Sequence, residues 1–122
     1  MRIVLHLGAH KTATTYIQTV LLENAERLSQ EGVGYVPLGR MRTAVTPLVD
    51  RPGRDLGSAP RALVDSHRGC KRVILSDENI PGLCSNAVKA GTYYARLRPR
   101  VGGLVGALGG GGDLRLLFAI RS

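Results

Sequence analysis

Tryptophan is absent from this 122-residue sequence, phenylalanine occurs once and tyrosine four times. Aromatic faces on which unpaired bases could stack are therefore scarce. Seventeen Lys and Arg stand against nine Asp and Glu, but the arginines are scattered through 40–72 and 96–100 without a dense run. A nucleic-acid platform built on stacking is thereby disfavoured. The net charge of +8 favours an anionic partner without choosing one. Cysteine is almost missing: Cys70 and Cys84 are too few for a disulfide framework and lack metal-ligand spacing, so free thiols in a reducing compartment are expected, with no metal site. Long hydrophobic runs are missing too. The amino terminus is apolar for only about five residues before Gly8, too short for a signal-peptide core or a membrane span. The expectation is a soluble, cytoplasmic chain without a membrane span.

What is present is a strong opening. The apolar run Ile3-Val4-Leu5-His6-Leu7 delivers the chain into Gly8-Ala9-His10-Lys11-Thr12-Ala13-Thr14-Thr15. A strand, a tight turn rich in basic and hydroxyl groups, and then a helix make an anion-binding device. The N–H groups that open a helix lack intrahelical partners and sit at the positive end of its dipole. Ile17, Val20, Leu21, Ala25 and Leu28 recur at three- and four-residue steps, with Gln18, Glu23, Glu26 and Arg27 on the other side, which predicts one amphipathic helix over 14–30. Gly32 stops it, and Val33-Gly34-Tyr35-Val36-Pro37 reads as a short extended segment.

From 38 to 59 there is no sustained period, and repeated Gly and Pro predict a mobile loop with one short helical piece. Ser58 followed by Pro60 reads as an N-cap opening a short helix through His67. Arg72-Val73-Ile74-Leu75-Ser76 is a second buried strand, ending in Asp77-Glu78. Leu97, Val101, Leu104, Val105 and Leu108 are spaced for a helix that Gly102, Gly103 and Gly106 weaken. Leu114 to Ile120 reads as a third apolar strand ending in Arg121-Ser122. Apolar strands separated by helices imply a doubly wound α/β fold, a parallel sheet with helices on both faces. Ligands bind such sheets at the carboxyl ends of the strands, where Lys11, Glu78 and Arg121 all fall.

The turn is not a Walker A loop, since His10 stands where that motif needs a Gly before the Lys. The stretch from Leu5 to Thr15 instead resembles the phosphosulfate loop of the sulfotransferases that use 3′-phosphoadenosine 5′-phosphosulfate (PAPS), in their bacterial and carbohydrate-type branch. Gly32-Val33-Gly34-Tyr35-Val36-Pro37, Val73 to Glu78 and Leu116 to Ser122 are similar to later segments of that family. The resemblance implies a P-loop-like sheet and PAPS as the sulfuryl donor. It also implies that His10, Lys11, Thr12, Ala13, Thr14 and Thr15 form the cofactor loop and that Arg121 pairs with the 3′-phosphate. Lys11 would stabilise the leaving phosphate, and Glu78, or its neighbour Asp77, would be the base for a hydroxyl or amine on a carbohydrate or other small-molecule acceptor. One departure is Ala13, where the family usually has Gly; a positive φ there would strain the loop.

The family's cofactor site also uses residues beyond Arg121, so residues 1–122 are expected to be the N-terminal portion of a single sulfotransferase-like domain, truncated after the third core strand. Two other readings stand beside this one: a P-loop nucleotide or small-molecule kinase, and a non-catalytic fragment. Simpler roles compete at single residues. Glu78 could cap a turn or pair with Arg72 or Lys71, His6 and His10 could be structural, His67 is expected to be exposed, and the arginines of 40–72 could form a solvated face.

Overall fold

The computed structural model describes residues 1–8, 13–51, 55–82, 96–109 and 112–118. The expectations for His10, Lys11, Thr12, Cys84 and Arg121, and for the last residues of the final strand, lie outside these. The apolar segments Arg2–His6 (β1), Val33–Val36 (β2), Arg72–Ser76 (β3) and Asp113–Leu117 (β4) form one sheet in the order β2-β3-β1-β4. Every pairing in it is parallel. Ile3 lies beside Val73 and Leu114, and His6 beside Ser76 and Leu117, so the carboxyl ends of β1, β3 and β4 reach the same edge in register.

Between the strands lie α1 (Thr14–Glu23), α2 (Ala25–Gln30), α3 (Leu38–Ala44), α4 (Thr46–Val49), α5 (Ala59–Asp65) and α6 (Leu97–Ala107). Side chains alternate across a strand, so Ile3, Leu5, Val73 and Leu75 share one face. There they join Met41, Val45, Leu63, Val64, Leu104 and Leu108 in a continuous core covered by α3 to α6. Each of these large side chains contributes roughly 1.5–3 kcal/mol by leaving water. His6 and Ser76 point to the opposite face, where Gln18 of α1 meets Ser76. Helices therefore cover both faces, as a parallel sheet requires.

Several expectations are corrected. The described part of the segment 38–59 is not a loop with one helical piece: it carries α3 and α4 and the start of α5, and Met41 and Val45 within it are fully buried. These helices are too short to show a period, and their stability comes from packing rather than propensity. The helix over 14–30 is broken at Asn24, whose side-chain Nδ2 donates to the Val20 carbonyl at 2.8 Å and whose backbone departs from helical geometry. A short amide bonding its own backbone competes with the helix there. The face of α1 is also rotated from the expected one. Gln18 and Thr14 are buried, whereas Ile17 and Val20 are 40% and 38% exposed. Ser58 precedes α5 without a side-chain cap.

The order of strands locates a crevice. β1 leads through α1 and α2 across β3 to β2, while β3 leads through α6 across β1 to β4. Crossovers of one hand running in opposite directions put their helices on opposite faces, as observed. The chains leaving the neighbouring strands β1 and β3 therefore part company, and the space between their carboxyl ends is the topological switch point at which open α/β sheets bind ligands.

Candidate functional site

At this switch point β1 runs through Leu7 and Gly8 toward the 9–12 segment, and the chain re-emerges at Ala13 to begin α1. Gly8 has no room for a side chain, because a Cβ there would collide with Thr14 Oγ1 and press on the His6 ring. Ala13 adopts φ 59° and ψ 20°, the left-handed region, so the backbone strain that the sequence raises as a condition is present. The helix α1 opens with a bond from the Ile17 N–H to the Ala13 carbonyl at 3.2 Å. Thr14 is buried and Thr15 exposed.

Across the crevice stands the end of β3. Asp77 and Glu78 are adjacent in sequence but not in environment. Asp77 is fully buried, and its carboxylate accepts from Thr46 Oγ1 at 2.6 Å and from the Asn79 N–H at 2.9 Å, which closes the turn beyond the strand. Glu78 is partly exposed, accepting from Gln18 Nε2 at 3.0 Å and from Arg42 at 2.9 Å. Burial alone would push the Glu78 carboxyl up. Its own backbone N–H, the Gln18 amide and the Arg42 guanidinium overcome this and hold it below the usual carboxylate value. Arg42, on α3, also reaches Asp77 at 3.4 Å. The partners that the sequence suggests for Glu78, Arg72 and Lys71, lie at the opposite end of β3 and are not its partners.

Behind the carboxylates the network continues inward. Gln18 Nε2 also donates to Ser76 Oγ at 3.1 Å, and Ser76 Oγ is 2.9 Å from His6 Nδ1. Burial pushes the His6 imidazole down, partly opposed by the charge of Glu78, so His6 is neutral at pH 7. In the tautomer that carries its proton on Nε2, His6 accepts at Nδ1 from the Ser76 hydroxyl, which accepts in turn from Gln18 Nε2. The turn bearing Glu78 is anchored from behind by Arg100 of α6. Its guanidinium donates to the Ile80 and Asn79 carbonyls at 2.7 and 3.0 Å and pairs with Asp50 at 2.6 Å.

Of the candidate residues, the structure brings Glu78 together with the opening of α1, Ala13 to Thr15, at one crevice. Leu117 accepts from the Leu7 N–H at 2.8 Å, so β4 ends at the same edge as β1. Sequence reasoning missed Gln18, Ser76, Arg42 and Arg100. Gln18 carried a signal, its place four residues after Thr14 on one helix stripe; Arg42 carried none. His67 is not exposed as expected but half-buried against Gly34, where any Cβ would strike its ring. Burial and the nearby Arg40 push its imidazole down. Cys70 is a free thiol packed against the core. Among the described residues no three His, Cys, Asp or Glu side chains converge as a metal set, and no helix is long and apolar enough to cross a membrane.

The class defined by these observations is an open four-strand parallel α/β sheet with helices, with the polar side chains of Gln18, Arg42, Asp77 and Glu78 gathered at the carboxyl end of β3. Comparison of the chain with family models, curated proteins and solved structures gave no match.

Proposed function

We propose that this crevice is a sulfuryl-transfer site, with PAPS as donor and a hydroxyl or amine as acceptor. The observation that carries the reading is that the segment resembling the phosphosulfate loop joins the carboxyl end of β1 to α1, and that Gln18 of that same helix holds Glu78 at the end of the neighbouring strand β3. The start of α1 directly after this loop supports an anion site, since the first N–H groups of a helix lie at the positive end of its dipole.

In this reading His10, Lys11, Thr12, Ala13, Thr14 and Thr15 hold the 5′-phosphate and sulfuryl oxygens. Lys11 stabilises the charge that builds on the leaving phosphate oxygen. Glu78 takes the proton that the acceptor oxygen or nitrogen loses as it bonds to sulfur. Asp77 is the poorer base, since Thr46 and the Asn79 amide already engage its buried carboxylate. Arg121 pairs with the 3′-phosphate through its planar guanidinium.

Titration calorimetry with adenosine 3′,5′-bisphosphate tests the reading. Saturable binding is expected, at least tenfold weaker in Lys11→Ala, which corresponds to about 1.4 kcal/mol or more. Absence of binding to the unsubstituted chain, or magnesium-dependent binding of ATP in its place, would overturn it.

A further inference from the structure

Gln18 occupies the sheet-facing stripe of α1, where an apolar side chain would be the ordinary choice for a helix packed on a sheet. It is 5% exposed, and it is not satisfied. Its amide nitrogen uses both hydrogens, one toward Ser76 Oγ and one toward Glu78 Oε2. A carboxylate can only accept, so Glu78 fixes which end of the amide faces it. The other end, Oε1, is left buried without a hydrogen-bond partner among the described residues. An orphaned buried acceptor costs stability, and a methionine or leucine at this position would carry no such cost.

We infer that Gln18 is a positioning residue, which directs the Glu78 carboxylate into the crevice and couples it through Ser76 to His6 beside the loop, at the expense of stability. Naming Glu78 as the group that accepts the acceptor's proton rests on the sulfuryl-transfer reading; the hold of Gln18 on Glu78 does not. Two donors from different elements set the direction of this carboxylate, Gln18 from α1 and Arg42 from α3. Arg42 is 41% exposed along its side chain, whereas Gln18 is enclosed, so the amide is the fixed support of the two. Among the described residues, the titratable groups facing Glu78 are Arg42 of α3, the neighbouring Asp77, His6 of β1 and Tyr35 of β2.

The test is Gln18→Met in the full chain, with the Glu78 carboxyl followed by carbon-13 NMR and assigned by its disappearance in Glu78→Gln. Loss of the amide donor is expected to raise the Glu78 titration midpoint by about half a pH unit or more, roughly threefold in ionisation constant. The melting temperature should stay level or rise, and the affinity for adenosine 3′,5′-bisphosphate should stay within about twofold of the original. Gln18→Glu, nearly isosteric, removes the same donor and adds a like charge, and should raise the midpoint further.

A midpoint unmoved in both variants overturns the inference, and so does a Gln18→Met chain that melts several degrees lower or fails to fold. If the midpoint moves as expected while the unsubstituted chain ignores adenosine 3′,5′-bisphosphate, the positioning role stands and the sulfuryl-transfer reading falls.

Discussion

Ala13 is the one residue other than glycine with positive φ among the described residues, at the junction where the loop becomes α1. A Cβ in this conformation crowds the following carbonyl oxygen, and the cost is roughly 1–2 kcal/mol. Ala13→Gly removes the clash while giving the unfolded chain more freedom to lose. We expect a net gain of about 0.5–1 kcal/mol, read as a higher denaturation midpoint at unchanged slope. An unchanged or lower midpoint would show the junction to be unstrained. The neighbours Asp77 and Glu78 illustrate a limit of reading single residues. Either one serves as a base on paper, and only packing separates a carboxylate enclosed by Thr46 and the Asn79 amide from one at the crevice.

At the scale of elements, α6 forms despite three interior glycines because tertiary contacts outweigh propensity. Leu104 and Leu108 are fully buried, and Arg100 ties its first turn to the loop after β3. None of the three glycines has positive φ. A Cβ meets nothing at Gly102 or Gly106, and only Leu56 at an ordinary 3.8 Å at Gly103. Replacing all three with Ala is expected to add about 2 kcal/mol, somewhat under the sum of the individual propensities. Urea unfolding would measure it, and a gain below about 0.5 kcal/mol would mean that the helix is not limited by glycine entropy. The opposite lesson comes from α1. Its apolar period was legible, yet the sheet-facing stripe centres on Thr14 and Gln18 because polar groups at the ends of β1 and β3 attract a polar helix face. Periodicity reports where apolar residues recur; it does not report which face the partner surface prefers.

For the whole molecule, three perturbed groups make stability depend on pH in one direction. Burial lowers the imidazoles of His6 and His67 from 6.5, so the unfolded chain binds those protons first, and stability falls as pH drops below about 6.5. Glu78 is held below 4.5, and its contribution, full above that value, is lost as pH falls toward the lowered native one. Thermal melts between about pH 8 and pH 3.5 should therefore descend in two steps, the first near pH 6 and the second below about pH 4.5. A melting temperature flat from about pH 7.5 to pH 5.5 would contradict the buried, neutral state of the histidines. The α/β class and the strands were legible from local pattern, since apolar runs and glycine punctuation are properties of neighbouring residues. The helices of 38–49 were hidden because each is shorter than the period needed to recognise it. What only the tertiary structure decided was the order β2-β3-β1-β4, and with it the crevice between β1 and β3. It also decided the convergence of Gln18 and Arg42 on the Glu78 carboxylate, with Ser76 and His6 behind Gln18. These residues lie far apart along the chain, and contacts set by crossover geometry and packing leave no trace in local sequence.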